Sequence, residues 1–166
     1  MSYCQLIEIN NGQPFHGTEY QNSYGGAARI WSSLFDKYLK NPAIPYHCWL
    51  SSGQELWDLA KNKNLPMFER AVHSFTFDRH YVSRKNFSRF TEDLKKFVET
   101  YPADGKVCHL LSWAAEISSM DCDGVGIYGT SVAENPWFVW DDEKEEDVGI
   151  PSNDKLEIYN WLESLV

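Results

Sequence analysis

An acidic and an imidazole side chain occupy alternate positions in the segment Asp78-Arg79-His80. Residues two apart share one face of a strand, so Asp78 and His80 could form a pair for general acid–base catalysis. No nucleophile is linked to this pair by a known motif. The pattern is also typical of surface polar residues or of a structural salt bridge, and both interpretations stay open at this point.

A second group of candidate residues is the segment Asp121-Cys122-Asp123-Gly124. Two carboxylates at this spacing can begin a Mg²⁺ or Ca²⁺ site. A complete EF-hand loop that starts at Asp121 needs a bidentate acid at its twelfth position, and that position is Val132. The segment therefore favours a tight turn held by aspartate hydrogen bonds. We expect no metal and no cofactor.

Two further motifs lack the context that their chemistry requires. The segment His16-Gly17-Thr18 could be half of a twin-histidine phosphoesterase site, but no second His-x-Ser/Thr copy follows. The glycines at positions 124, 126 and 129 match the dinucleotide-binding pattern, yet they lie in a β-like segment that precedes no helix. Both readings are rejected.

The four cysteines, at positions 4, 48, 108 and 122, form no Cys-x-x-Cys pair, which excludes the usual zinc-finger and thioredoxin sites. Cys48 and Cys108 each adjoin a histidine, but neighbours in a strand point to opposite faces, which disfavours a thiolate–imidazole pair. We expect reduced and mostly buried thiols.

The N-terminal segment has no signal-peptide pattern, and no apolar stretch is long enough for a membrane span. We therefore expect a cytoplasmic protein with no membrane partner.

Charge is distributed unevenly along the chain. The formal net charge is −9, yet residues 1–102 contain 12 basic and 10 acidic residues, whereas residues 103–166 contain 3 and 14. Within the second part, residues 141–147 supply six acids and one lysine. A negative total argues against a generic nucleic-acid binder, which needs a basic footprint.

Basic residues cluster on and before the helix predicted over residues 84–101. This basic face comprises Arg79, Arg84, Lys85, Arg89 and Lys96. We expect Glu92 to pair with Lys96. Three alternatives follow. The acidic run can simply keep the protein soluble, it can neutralise the basic face within the same molecule, or the basic face can contact nucleic acid while the acidic run competes.

Periodicity and turn residues predict the elements that position these side chains. The predicted strands are 3–9, 43–50, 74–82, 125–132 and 137–140, and residues 10–26 are predicted as a long polar loop. The predicted helices are 26–40, one ending near residue 63 with Ser52 and Glu55 as a capping box, 66–73, 84–101, 106–119, and 153–165 with Ser152 as its cap.

The order of elements does not alternate between strand and helix, so an α+β fold is expected. We predict a single compact domain over residues 1–166, with about five or six helices on a small, mostly antiparallel sheet and an exposed acidic loop over 141–151.

These patterns favour a non-enzymatic protein-binding factor, in the manner of immunity or phage counter-defence proteins. Such an inhibitor or neutralising protein would occlude a basic surface of its partner. The predicted contact residues are Trp137, Trp140, Asp141, Asp142, Glu143, Glu145, Glu146 and Asp147. The alternative is a small hydrolase or transferase whose site combines the loop 10–26 with Asp78, His80, Asp121 and Asp123.

Overall fold

A five-stranded sheet lies at the centre of the computed structural model, which describes residues 2–129 and 134–165. The strands are β1 (Tyr3–Asn10), β2 (Gln13–Gln21), β3 (His80–Ser83), β4 (Gly124–Gly129), β5 (Phe138–Asp141), β6 (Glu146–Gly149) and β7 (Leu156–Glu157). The helices are α1 (Ala27–Tyr38), α2 (Gln54–Asp58), α3 (Met67–Phe75), α4 (Phe87–Thr100), α5 (Leu110–Ser119) and α6 (Ile158–Ser164).

The strand order in the main sheet is β2-β1-β4-β3-β7, and β5 pairs with β6 in a separate hairpin. All pairings are antiparallel except that of β3 with β7. The predicted α+β class, with about five or six helices on a mostly antiparallel sheet, is confirmed, and six helices lie in the described part of the chain. None of the helices in the described part of the chain is long and apolar enough to cross a membrane.

The helices form where apolar residues recur at helical spacing. In α4, three aromatic or aliphatic side chains, Phe90, Leu94 and Phe97, are fully buried along one stripe. A 3-10 turn over Arg84–Asn86 precedes this helix, and Pro102 follows it. The predicted helix over 84–101 is therefore confirmed apart from its first turn.

The prediction of a long polar loop over residues 10–26 is wrong. Residues 13–21 form β2, which pairs along β1 from Asn10↔Gln13 to Tyr3↔Gln21. Asn11 and Gly12 both have positive φ, at 49° and 75°. An Asn-Gly turn of this kind matches the twist of antiparallel strands and is a strong local hairpin signal.

Several other boundaries also differ from the predictions. Residues 43–50 form turns instead of a strand, and the helix expected to reach residue 63 ends at Asp58 before a 3-10 turn. Ser52 donates its hydroxyl to the Trp49 carbonyl at 2.7 Å and does not cap α2. Only residues 80–82 of the predicted strand 74–82 are extended, because α3 continues to Phe75 and residues 76–79 form a turn.

The C-terminal helix is shorter than predicted. A 3-10 turn over Ser152–Asp154 and the two-residue β7 precede α6, whose cap is Glu157. The Ser152 hydroxyl instead donates to the Gly12 carbonyl at 3.1 Å. The chain therefore uses this serine to fasten its C-terminal region to the β1–β2 turn.

The sheet is buried on both faces. Leu6, Val82 and Val125 pack against the helices in the larger core. Ile7 and Ile9 point to the opposite face, where Trp137 and Phe138 cover them in a smaller core. We call this second side the outer face of the sheet. Burial on both faces explains why Leu6 and Ile7 are both fully buried although they are neighbours in a strand.

Trp137 packs against β4 at Gly126. A Cβ atom at position 126 would lie 2.2 Å from Cζ2 of the indole, so only glycine leaves room for the ring. The indole Nε1 donates to the Ile127 carbonyl at 2.9 Å. A packing role therefore explains Gly126, one of the three glycines that resemble a dinucleotide motif.

We predict that Trp137→Ala lowers the free energy of unfolding by about 3–5 kcal/mol, because it empties the outer core. The matched variant is Trp140→Ala, which truncates an exposed ring three residues further along the chain and should change stability by less than about 0.5 kcal/mol. Urea denaturation followed by circular dichroism measures both. Equal losses in the two variants would contradict the role of Trp137.

Candidate functional site

The acidic run forms the end of a β-hairpin, with strands β5 and β6 paired from Phe138↔Gly149 to Asp141↔Glu146. The Asp141 carboxylate accepts hydrogen bonds from the backbone amides of Glu143 and Lys144, at 3.0 and 3.2 Å. Glu145 closes the turn with a positive φ of 54°. We call residues 138–149 the acidic hairpin. Its tip has a defined turn instead of an open loop.

The root of the acidic hairpin is fastened to strand β2 through His16. The imidazole stacks on the Phe138 ring with 3.9 Å between centroids, and its Nε2 lies 3.4 Å from an Asp147 oxygen. The other ring nitrogen, Nδ1, makes a 3.0 Å hydrogen bond with Gln5. His16 is therefore an anchoring residue, which fits the rejection of a twin-histidine site.

Backbone contacts also hold the root in place. The Asn135 side-chain oxygen accepts from the amides of Trp137 and Phe138, at 2.9 and 3.3 Å. The Ile150 amide donates to the Trp137 carbonyl at 2.8 Å. The hairpin is thus presented in one orientation before any partner arrives.

The aromatic residues of this segment divide between the core and solvent. Trp137 was predicted at the partner surface, and that prediction needs correction because its side chain is fully buried. Phe138 is buried as well, whereas Val139 is 56% and Trp140 58% exposed. Trp140 pairs with Asp147 across the hairpin, so an exposed indole and a carboxylate are cross-strand neighbours.

The structure does not support neutralisation of the acidic run by the basic face. Arg84 pairs with Asp121 at 2.8 Å, and Arg89 pairs with Glu163 at 3.1 Å. Glu92 was expected to pair with Lys96, and that expectation is wrong. Its carboxylate instead accepts a 2.7 Å hydrogen bond from the Lys95 ammonium group. These carboxylates interrupt the basic face, which weakens it as a continuous surface for phosphates.

The outer carboxylates of the acidic hairpin are left without compensation. Among the described residues, the only basic groups within salt-bridge distance of the hairpin carboxylates are Lys144, next to Asp141, and His16, next to Asp147. Within residues 2–129 and 134–165, no basic side chain forms a salt bridge with the exposed carboxylates of Asp142, Glu143, Glu145 and Glu146. The hairpin therefore combines an exposed apolar patch with a free negative charge cluster.

Asp78 and His80 do not form an acid–base pair. His80 is buried, its two ring nitrogens have no hydrogen-bond partner in the described structure, and its ring lies 4.5 Å from that of Trp161. Burial lowers the pKa of His80 to about 4. Asp78 lies in a turn and lines a pocket next to α1.

The two aspartates of the 121–124 turn serve the fold. Asp123 accepts a 2.8 Å hydrogen bond from the backbone amide of Asn11 and so stabilises the β1–β2 turn. No group of three or more metal-ligating side chains occurs within residues 2–129 and 134–165. Asp123 directly precedes the first residue of β4. Asp78 lies at the other end of this strand, where it lines the same pocket as the last residue of β4, Gly129. A six-residue strand separates these ends by about 16 Å, so the two do not share a cleft.

The histidines next to Cys48 and Cys108 bind backbone groups. His47 accepts from the Asn41 amide at 3.0 Å, and His109 contacts the Gln21 carbonyl at 2.8 Å. All four cysteines are free thiols, of which two are buried.

Comparisons of the chain with protein-family models, with curated proteins and with solved structures find no match. Function must therefore be argued from this geometry.

We predict that His80→Leu reduces the loss of stability on acidification. The folded-state pKa of about 4 lies below the ordinary value of 6.5, so unfolding takes up a proton between these values. The contribution of the neutral His80 ring to the free energy of unfolding is at its full value above pH 6.5. It decreases as the pH falls toward 4, by about 3 kcal/mol in total. Unfolding free energies measured by urea titration at several pH values check this, and identical slopes for both proteins would contradict it.

Proposed function

We propose that this protein is a non-enzymatic, cytoplasmic protein-binding factor that uses the acidic hairpin to occlude a basic surface of another protein. The observation that carries the proposal is the exposure of Val139 and Trp140 beside carboxylates that form no salt bridge with any other described residue. An apolar anchor within a charged rim is a common composition for a protein interface.

Preorganisation supports this role. The contacts of His16, Trp137 and Asn135 already fix the root of the hairpin. Little conformational entropy remains to be lost on binding, so more of the contact energy contributes to affinity. Trp140 is the candidate hot spot, because a large rigid indole becomes desolvated at low entropic cost.

The carboxylates contribute chiefly to the rate of encounter and to partner choice. Uncompensated negative charge attracts a basic protein over several ångströms and repels an acidic one. Protein surfaces that bind nucleic acids are basic. A nucleic-acid-binding partner would therefore lose access to its nucleic acid when the acidic hairpin covers that surface. Inhibition or neutralisation by steric and electrostatic occlusion follows from this arrangement.

The test begins with capture of partners from native lysate by the wild-type chain, followed by binding kinetics with the purified partner. The charge variant carries Asp142→Asn, Glu143→Gln, Glu145→Gln and Glu146→Gln. Asp141 and Asp147 are kept because they hold the turn and His16. We expect association at low salt to slow by roughly tenfold or more, and its salt dependence to flatten.

The matched control removes the same number of charges elsewhere, with Asp36→Asn, Glu55→Gln, Glu99→Gln and Asp104→Asn. These positions are exposed and lie outside the hairpin, so the association rate should stay close to that of the wild type. Equal association rates for the hairpin variant and the wild type at low salt would refute the proposal.

A separate prediction concerns the apolar anchor. Trp140→Ala should raise the dissociation rate of the same partner by roughly tenfold or more and change the association rate little, because short-range packing is lost while charge is kept. Surface plasmon resonance separates the two rates. An unchanged dissociation rate would remove Trp140 from the interface.

A further inference from the structure

A pocket of about 580 Å³ opens on the helix side of the sheet, next to the end of β4. Its volume lies in the range of sites that hold small organic molecules, about 300–1,000 Å³. Its aromatic lining consists of Tyr24, Trp31, Trp49, Trp57 and Phe77. Three of the seven tryptophans of the chain thus converge on one cavity.

The aromatic walls support one another. The ring centroids of Trp49 and Trp57 lie 5.2 and 5.4 Å from that of Trp31, in tilted and edge-on arrangements. The Trp31 indole donates to the Thr76 hydroxyl at 2.8 Å, which fixes the central ring. At the rim, Tyr24 is 68% and Leu50 74% exposed. The pocket is therefore held open and presents apolar surface to solvent.

Asp78 is the only charged side chain that lines this pocket among the described residues. Its residue is exposed to solvent and makes no hydrogen bond or salt bridge with another described residue. Partial desolvation by the surrounding protein atoms raises the pKa of its carboxyl, against the opposing effect of Arg79. The Thr76 hydroxyl is already engaged, since it also donates to the His73 carbonyl at 2.7 Å. The site thus combines aromatic surface with one solvent-accessible carboxylate that forms no salt bridge with another described residue.

We propose that this pocket binds a small organic cation, an amine or quaternary ammonium with an apolar or aromatic body. The cation would lie near Asp78, and its apolar part would contact the tryptophans. Aromatic rings attract cations through their quadrupole, and the carboxylate adds direct charge attraction. The same carboxylate repels anionic ligands, so the expected ligand is an organic cation.

This site is independent of the acidic hairpin. Cys4 and Ile127 line the pocket from the helix-facing side of the sheet, whereas Trp137 and the hairpin cover the outer face. A ligand in the pocket therefore does not touch Trp140. Binding in one site can fail while binding in the other is retained, so the two proposals are tested separately.

The test uses benzyltrimethylammonium as the probe, with benzyl alcohol as a neutral aromatic and phenylacetate as an anion. Isothermal titration calorimetry measures affinity, and tryptophan fluorescence reports on the pocket rings. The cation should bind the wild type at least about fivefold more tightly than the neutral probe, and the anion should bind least. Equal affinities for the three probes, or no binding of the cation up to about 10 mM, would overturn the proposal.

The decisive variant is Asp78→Asn, which removes the charge while nearly preserving shape. We expect the affinity for benzyltrimethylammonium to fall by about fivefold or more, toward that of benzyl alcohol. Asp104→Asn is the control, because it removes the same charge from an exposed position outside both candidate sites, and it should leave the affinity unchanged. Equal effects of the two substitutions would show that only net charge acts, and would overturn the site.

A second variant tests the aromatic wall without touching the carboxylate. Trp49 is only partly buried, so Trp49→Leu should leave a folded protein, as circular dichroism can verify. It should weaken binding of the cation by about threefold or more, since an aliphatic side chain has no quadrupole. Retention of full affinity would exclude Trp49 from the site.

Discussion

The indole of Trp137 occupies space on the outer face of the sheet that only a glycine at position 126 leaves free. With Phe138, it covers Ile7 and Ile9, which would otherwise expose a strand surface to water. The same contact fixes the start of the acidic hairpin, since β5 begins at the next residue. Burial of one ring thus completes the second core and determines where the charged surface lies.

The sheet separates the molecule into two sides with different character. On the helix side, a large core surrounds Leu6 and Val125, and an aromatic pocket opens at one end of β4. On the outer side, a small core supports a hairpin with free carboxylates. Both candidate sites present negative charge beside an exposed or accessible indole. Each is thereby suited to a positively charged ligand, at the scale of a protein surface or of a small molecule.

Much of the secondary structure follows from local pattern. The aromatic stripe of α4 and the apolar spacing of α1 predict both helices within a few residues. The turn between β1 and β2 could also have been predicted from Asn11-Gly12, because this dipeptide is the strongest short-range signal of a β-hairpin. Polar composition over residues 13–21 concealed β2, an edge strand whose side chains are mostly exposed. The strand predicted over 74–82 overlaps β3 but begins six residues too early, and the two-residue β7 was not predicted. Both strands are short, and pairing with neighbouring segments supports them.

The sequence by itself determined the α+β class, the helical faces and the concentration of acids in residues 141–147, because periodicity and charge are local properties of the chain. Only tertiary structure decided that Trp137 is buried while Trp140 is exposed, since the two belong to one apolar segment. It also decided that Asp78 lines the same pocket as Trp31 and Trp49, which are far from it in the chain. Burial and convergence depend on which segments meet, and no local pattern contains that information.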